Sequence, residues 1–356
     1  MGEKVLMKGN EAIAEAAIRA GLKCYFGYPI TPQNEIPEYM ARNLPQRGGV
    51  FIQAESEVAA INMCYGASSA GARTMTSSSS PGISLKQEGI SYMVGARLPA
   101  VIVNQVRGGP GLGNIAPSQA DYFQSTKGGG HGDYRMIVYT PSTIQEAVEL
   151  TMKAFDKADE YRNPVLILGD AILAQMMEPV VFPEPSGKVF DKSSWAVGGK
   201  RNGRPPHLVN SLSLEDGVVE KWNWELKEKF DLITSKEMMV EEYLCDDADV
   251  IFVAYGSTAR ICRSVLHKAR KEGAKVGMIR PITVWPYPYE TVAKRTNRTK
   301  HFFVVEMSLG QMIEDVKLSV LSNAKVHFHG RPGGGIPEET DLLKQLKSIL
   351  QEAGKR

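Results

Sequence analysis

The sequence predicts an α/β protein with two open, mostly parallel sheets joined by an irregular excursion. Three observations lead there. Short apolar runs alternate with longer segments of helical period from about residue 10 to 180, and again from 249 onward. The runs are continuously apolar rather than alternating, as expected of strands buried on both faces by crossover helices. Between 181 and 246 the rhythm breaks around Pro183, Pro185, Pro205 and Pro206 and the charged run 220–229. The expected division is 1–180, a connecting excursion 181–246, and a smaller α/β domain 247–356.

The elements follow in order. Residues 10–20 are alanine-rich and helical, 23–26 a strand, 33–42 a helix, 49–52 a strand, and 55–69 a helix with a small-residue tail. Next come a strand over 73–77, a helix over 83–96, and strands over 99–103, 136–140 and 164–168. Between the last two, Ile144, Ala147, Val148, Thr151, Met152 and Phe155 share one helical face. Ser142 with Gln145 offers a capping box. The excursion holds one helix near 216–230. The second domain shows strands over 250–254, 275–279, 302–306 and 325–329, with helices over 258–271, 311–321 and 338–351.

Bulk properties narrow the function classes. The 356 residues suffice for two cores, and 43% hydrophobic with 23% charged content is ordinary for a soluble globular chain. A net charge of +2 gives no support for a nucleic-acid or membrane-surface partner and argues against a large basic face. No apolar segment follows Met1-Gly2-Glu3-Lys4, and none approaches the roughly 18 residues of a membrane span. Leu6 rules out a myristoylation signal at Gly2. A cytoplasmic location is expected. Cys24, Cys64, Cys245 and Cys262 form no CxxC pair, so no iron–sulfur or zinc spacing exists; Cys24, Cys64 and Cys262 read as buried free thiols.

In sheets of this type ligands sit outside the carboxyl ends of the strands, so the strand-to-helix loops carry the information. The first is Tyr28-Pro29-Ile30-Thr31-Pro32. Its prolines hold Tyr28 and Thr31 extended. Thr31 is either the N-cap of the next helix or a hydroxyl fixed at the mouth of the sheet. The second places Glu55 and Glu57 in the first turn of a helix, where both suit the dipole. Glu57 is followed by Val58, Ala59, Ala60 and Ile61, surroundings in which a carboxyl holds a proton or one strong hydrogen bond. The third, Ser77-Ser78-Ser79-Ser80-Pro81-Gly82, is either a plain serine turn or a close approach to a ligand. It contains no GxSxG elbow.

The fourth loop is Arg107-Gly108-Gly109-Pro110-Gly111-Leu112-Gly113. Arginine at a strand end can fork onto a carboxylate or phosphate, and the glycines leave it little to cap or pack against. The fifth, Lys127 to Asp133, holds His131, a base or, more simply, a loop hydrogen-bonder. In the second domain Glu306 to Gln311 and Arg331 to Gly335 form comparable turns. A P-loop, HExxH and any GDG…N segment for magnesium diphosphate are missing from the sequence.

Taken together, YPITP, ESEVAAINMCYGASSAGART, the serine turn, NQVRGGPGLG, QADYFQSTKGGGHGD, RPITVWPYP and EMSLGQM resemble the alpha subunit of the 2-oxoacid:ferredoxin oxidoreductases, over nearly the whole chain. The branched-chain 2-oxoisovalerate (VorB-like) members look closest and the 2-oxoglutarate (KorA-like) members next. The resemblance implies a pyrimidine-type thiamine diphosphate-binding domain followed by a transketolase-C-terminal-like domain. It implies oxidative cleavage of a 2-oxoacid with coenzyme A and electron transfer through iron–sulfur clusters to ferredoxin. A beta subunit would bring the diphosphate and Mg site. A gamma/delta ferredoxin-type subunit would complete the complex. No metal and no cluster would belong to this chain.

Carried over, Glu57 hydrogen-bonds the aminopyrimidine ring nitrogen, and Ser79 belongs to the cofactor site. Thr31 meets the oxo-acid end of the substrate and Arg107 its carboxylate. Glu55, two residues from Glu57, is left to the dipole or an interface. No basic residue falls between Arg107 and Lys127, which favours an apolar over a dicarboxylate substrate. The alternatives are a non-catalytic scaffold subunit and a transketolase-type synthase or decarboxylase.

Overall fold

The computed structural model describes residues 3–198 and 206–354; Met1, Gly2 and Pro205 lie outside them. The chain opens with β1 (Val5–Lys8), α1 (Gly9–Arg19), β2 (Cys24–Gly27), α2 (Glu35–Asn43), β3 (Val50–Gln53) and α3 (Glu57–Ser69). It continues through β4 (Thr74–Ser78), α4 (Ser80–Gly95), β5 (Ala100–Val106), β6 (Ile137–Tyr139), α5 (Ile144–Tyr161) and β7 (Pro164–Asp170). Then come α6 (Ala171–Gln175), β8 (Met177–Val180), α7 (Val218–Glu237) and β9 (Val240–Tyr243). The last part holds β10 (Val250–Val253), α8 (Gly256–Lys271), β11 (Val276–Pro281), β12 (Thr283–Trp285), α9 (Tyr289–Arg295), β13 (His301–Glu306), α10 (Met312–Val320), β14 (Lys325–Gly330) and α11 (Glu339–Glu352).

The first sheet has seven strands in the order β12-β6-β7-β5-β4-β2-β3. All neighbours are parallel except the edge pair β12 and β6. The second sheet runs β14-β13-β10-β11-β9, parallel except at β9. Every residue of β4, β5 and β7 is buried, as the unbroken apolar runs required. The predicted face of α5 is buried at each of its six positions.

Local details differ from the sequence reading. The cap of α5 is Thr143, whose Oγ1 accepts from Glu146 N; the Glu146 carboxylate accepts from Ser142 N, so the box sits one residue later than Ser142 with Gln145. Helix α7 runs on to Glu237. Cys24 is only half-buried, because the first residue of β2 lies at the sheet's lip, whereas Cys245, unassigned from sequence, is buried. The ribbon of β1 and β8, the edge strands β9 and β12, and the short helices α6 and α9 were not predicted. Each is too short to show a period of its own.

The two sheets are locked together through the segment that follows Arg107. Gln119 is buried; it donates from its backbone N to Met307 O (2.9 Å) and from Nε2 to Tyr255 O (2.9 Å). Its Oε1 accepts from Met307 N (3.0 Å) and from the Thr258 hydroxyl. Tyr122 donates to Asp315 Oδ2 at 2.6 Å. Arg280 forks onto Glu146 and reaches Glu241 with Nε at 2.7 Å.

A second buried polar network lies behind the first strand-end loop. Asn10, with no exposed surface, donates through Nδ2 to Pro32 O and to Glu35 Oε2, both at 2.7 Å, while its Oδ1 accepts from Gln105 Nε2 at 3.0 Å. Asn10→Ala leaves Gln105 Nε2 without a partner in the interior, whereas Pro32 O and Glu35 Oε2 keep their bonds from Gln175. We expect a loss of about 1–3 kcal/mol, read as a lower denaturant midpoint with an unchanged slope.

Candidate active site

The strand order β5-β4-β2-β3 brings four parallel carboxyl ends side by side. Thr31 follows β2, Glu57 follows β3, Ser79 follows β4 and Arg107 follows β5. The four residues singled out from sequence therefore share one edge of the sheet, where such folds bind ligands.

Glu57 is the first residue of α3. Ser56 caps that helix, its Oγ accepting from Ala59 N at 3.2 Å. Glu55 thus precedes the helix and is exposed, so only one acid belongs to the first turn. Glu57 is buried at 6% exposure. Its surroundings are not those its sequence neighbours suggest, because Val58 points outward. The carboxylate instead faces Gly82 of α4. A Cβ at position 82 would lie 2.5 Å from Glu57 Oε1 and 2.0 Å from Ser78 Oγ. Farther along the same contact, a Cβ at Gly89 would strike Ile61 at 2.5 Å. The two glycines let α3 and α4 approach closely enough to seat the acid.

Ser79 is the N-cap residue of α4, yet its hydroxyl makes no cap hydrogen bond. The Oγ atoms of Ser78 and Ser79 are both buried without a partner. Ser80 turns the other way. It receives the Arg107 backbone N–H on Oγ (3.1 Å), and its own N–H goes to Asn104 Oδ1 (3.1 Å). Asn104 Nδ2 in turn donates to Asp121, whose carboxyl is pushed up by burial.

Arg107 is 7% exposed. Contrary to the expectation that the glycine loop offers it little to cap, Nη2 donates to Leu112 O (3.1 Å) and Nη1 to Thr31 O (3.0 Å). Its Nε is buried without a partner. Thr31 and Arg107 are thereby brought together. Thr31 is not a helix cap: α2 begins at Glu35 with Asn34 as its cap, and Thr31 lies in the turn before it. Its Oγ1 accepts from Asn34 Nδ2 at 3.3 Å, which leaves the hydroxyl hydrogen free to donate. His131 is exposed; its carbonyl accepts from Ser91 Oγ at 2.7 Å and its ring lies edge-on to Tyr92.

Sequence reasoning missed the residues that hold these groups from behind. Gln33 donates to Tyr28 O at 3.1 Å, and Gln175 to Pro32 O at 3.1 Å. Lys86, with no exposed surface, donates to Thr76 Oγ1 at 2.7 Å. Its only sequence signal is a charge on an otherwise buried helical face. Elsewhere, Glu306 caps α10, accepting from the N–H groups of Gln311, Met312 and Ile313 at 3.0–3.1 Å. A cavity of about 740 Å3, lined in part by Trp224, Phe230 and Trp285, contains none of the four loop residues. His301, His327 and Glu352 converge on the second sheet, but the two imidazoles hydrogen-bond each other and Glu352 pairs with Lys325.

Residues 15–233 match the family described as pyruvate flavodoxin/ferredoxin oxidoreductase, thiamine diphosphate-binding, and residues 248–342 match pyruvate:ferredoxin oxidoreductase core domain II. The chain belongs to the 2-oxoacid:ferredoxin oxidoreductases. It is 49% identical to the ketoisovalerate oxidoreductase subunit VorB of Methanothermobacter marburgensis, over 98% of each chain. It is 34% identical to the 2-oxoglutarate synthase subunit KorA of Methanothermobacter thermautotrophicus, over 97% of this chain and 99% of that one. The solved 2-oxoglutarate:ferredoxin oxidoreductase from Magnetococcus marinus, with 2-oxoglutarate, coenzyme A and succinyl-CoA bound, superposes with a TM-score of 0.89 at 26% identity. That match covers 98% of this chain and 66% of the other.

The predicted α/β fold with a thiamine diphosphate-binding domain is thus borne out. The residues present fit the pyrimidine half of such an oxidoreductase cofactor. The Glu57 carboxylate makes no hydrogen bond among the described residues, the Ser78 hydroxyl across Gly82 from it is orphaned, and so is the Ser79 hydroxyl at the same strand end. Among the described residues no helix is long and apolar enough to cross a membrane.

Gly82→Ala tests the seating of Glu57. The added methyl must displace the carboxylate or Ser78. We expect a stability loss of about 1–3 kcal/mol by thermal unfolding, with thiamine diphosphate affinity in the assembled enzyme falling further than stability.

Proposed function

We propose that this chain is the pyrimidine-binding, alpha-type subunit of a 2-oxoacid:ferredoxin oxidoreductase that acts on a branched-chain 2-oxoacid. In this reading a beta subunit brings the diphosphate and Mg site, and a ferredoxin-type subunit takes the electrons. The observation that carries it is the Glu57 carboxylate, buried and without a hydrogen bond among the described residues, at the ligand-binding edge of a thiamine diphosphate-binding fold.

Glu57 would hold the aminopyrimidine ring, with the Ser78 and Ser79 hydroxyls completing its cradle. When bound, thiamine diphosphate supplies the nucleophilic carbon and the electron sink for decarboxylation. The chain's own residues orient the acid that reacts there. Arg107 spends two of its N–H groups on carbonyls and keeps Nε free for one oxygen of the substrate carboxylate. Its bond to Thr31 O fixes the neighbouring hydroxyl, which donates to the oxo oxygen. Both groups are held before substrate arrives, so little ordering remains to be done on binding.

An apolar substrate is favoured by the loop after Arg107, which exposes Leu112 and Ile115 and carries no cation before Lys127. Lys127 itself pairs with Asp315, and Arg331 lies beside Glu338 and Asp341. The relatives named for ketoisovalerate are 49–50% identical, against 34–37% for those named for 2-oxoglutarate, in support of the same choice. Exposed Ile52, Val58, Leu85 and Leu112 lie on the segments that carry the site residues and suit coverage by a second subunit.

Three measurements test the reading. In the complex reconstituted with its beta subunit, Glu57→Gln lowers kcat by at least about 100-fold; an unchanged rate would establish a scaffold role instead. Thr31→Val lowers kcat/KM for the 2-oxoacid by about tenfold without changing the melting temperature. In a panel of 2-oxoisovalerate, 2-oxoglutarate and pyruvate, 2-oxoisovalerate gives the highest kcat/KM; a preference for 2-oxoglutarate would overturn the substrate assignment.

A further inference from the structure

Lys86 is a fully buried lysine in a domain core, an unusual place for an ammonium group. Taking such an ion out of water costs several kcal/mol unless other charges compensate it. Among the described residues its one hydrogen-bond partner is neutral: Nζ donates to Thr76 Oγ1 at 2.7 Å. The position of that bond is specific. Thr76 and Ser78 are two apart on β4 and face the same side. Lys86 and Gly82 are four apart on α4 and also share a face, about 6 Å apart along the helix axis. Gly82 touches both Ser78 and Glu57. The ammonium therefore lies one helical turn behind the contact that seats Glu57.

Two acidic groups act on Lys86 electrostatically, Cys64 and Glu57, both from α3. Burial pushes the Cys64 thiol up to about 12, so at neutral pH it carries no charge. Glu57 is then the one carboxylate among them. Burial pulls the Lys86 ammonium down to about 8, and the Glu57 carboxylate acts against that pull, favouring the charged form. No ion pair within 4.0 Å joins the two side chains among the described residues, and no hydrogen bond does either.

We infer that Lys86 is a positioning residue for Glu57: its buried ammonium, fixed on Thr76, supplies the compensating charge for the carboxylate from one turn away and so leaves both carboxylate oxygens free for the cofactor. A direct salt bridge would balance the charge equally well but would occupy the atoms that must meet the pyrimidine ring. The inference rests on the role proposed above for Glu57.

The test uses the reconstituted complex and three variants, Lys86→Met, Glu57→Gln and their double. Methionine keeps the length and apolar stem of the lysine and removes the charge. Two readouts are taken: the Kd for thiamine diphosphate, and the rate of deuterium exchange at C2 of the bound cofactor without substrate. Lys86→Met slows exchange about tenfold or more, the size expected for one charge removed at this range in a buried site. In the Glu57→Gln background the same substitution changes exchange less than twofold, because its route is lost. Thr76→Val, which only frees the ammonium, slows exchange less but in the same direction, and it decides the matter if Lys86→Met fails to fold. Additive effects in the double variant, or normal exchange in both Lys86→Met and Thr76→Val, would overturn the inference. Normal exchange and Kd in Glu57→Gln alone would instead overturn the reading of Glu57.

Discussion

The site depends on one steric condition: nothing larger than hydrogen fits at position 82. There α4 passes so close to α3 that Glu57 and Ser78 fill the volume a methyl group would need. That closeness does two things. It buries the Glu57 carboxylate beside hydroxyls instead of leaving it on a helix end in water. It also brings the start of α4 within reach of the strand ends on both sides, so Ser79 and Ser80 stand between the acid and Arg107.

On the other side of that helix start, rigidity comes from carbonyl groups. The Thr31 carbonyl takes Arg107, the Pro32 carbonyl takes Asn10 and Gln175, and the Tyr28 carbonyl takes Gln33. Prolines limit how this turn can bend, but they cannot aim it. The aim comes from side-chain amides on α1 and α6 and from Gln33 within the turn itself, each bonded to a carbonyl of the turn. The loop beyond Arg107 is then pinned to the second sheet through Gln119, Tyr122 and Asn114. The arginine is thus held from three directions by segments distant in sequence, and the smaller domain contributes to the site without lending it a reacting group.

Buried charge at the site is separated from hydrogen bonding. The Glu57 carboxylate has a charge partner but no hydrogen-bond partner among the described residues, and the serine hydroxyls and the Arg107 Nε likewise lack a hydrogen bond. Interiors rarely leave such groups unmet. Four of them clustered at one sheet edge describe the complement of a polar ligand.

Much of this was legible in the sequence. The alternation of apolar runs with helical periods gave both sheets, since period and burial are properties of short windows. Proline, glycine and arginine at strand ends marked the informative loops, because those residues restrict or release the backbone locally. What the sequence could not supply was anything that depends on which chain segments become neighbours. The cap of α2 at Asn34, not Thr31, and the serines rather than Val58 around Glu57 follow from how α2, α3 and α4 pack. The pairing of Asn10 with Gln105 spans 95 positions, and that of Arg107 with Thr31 spans 76. Lys86 looks like an ordinary surface lysine until β4 and α3 enclose it. By itself the sequence determined the elements and the chemical types at the strand ends. Only the tertiary structure decided which polar groups are satisfied and which are left for a ligand, because hydrogen-bond and charge partners are chosen by proximity in space.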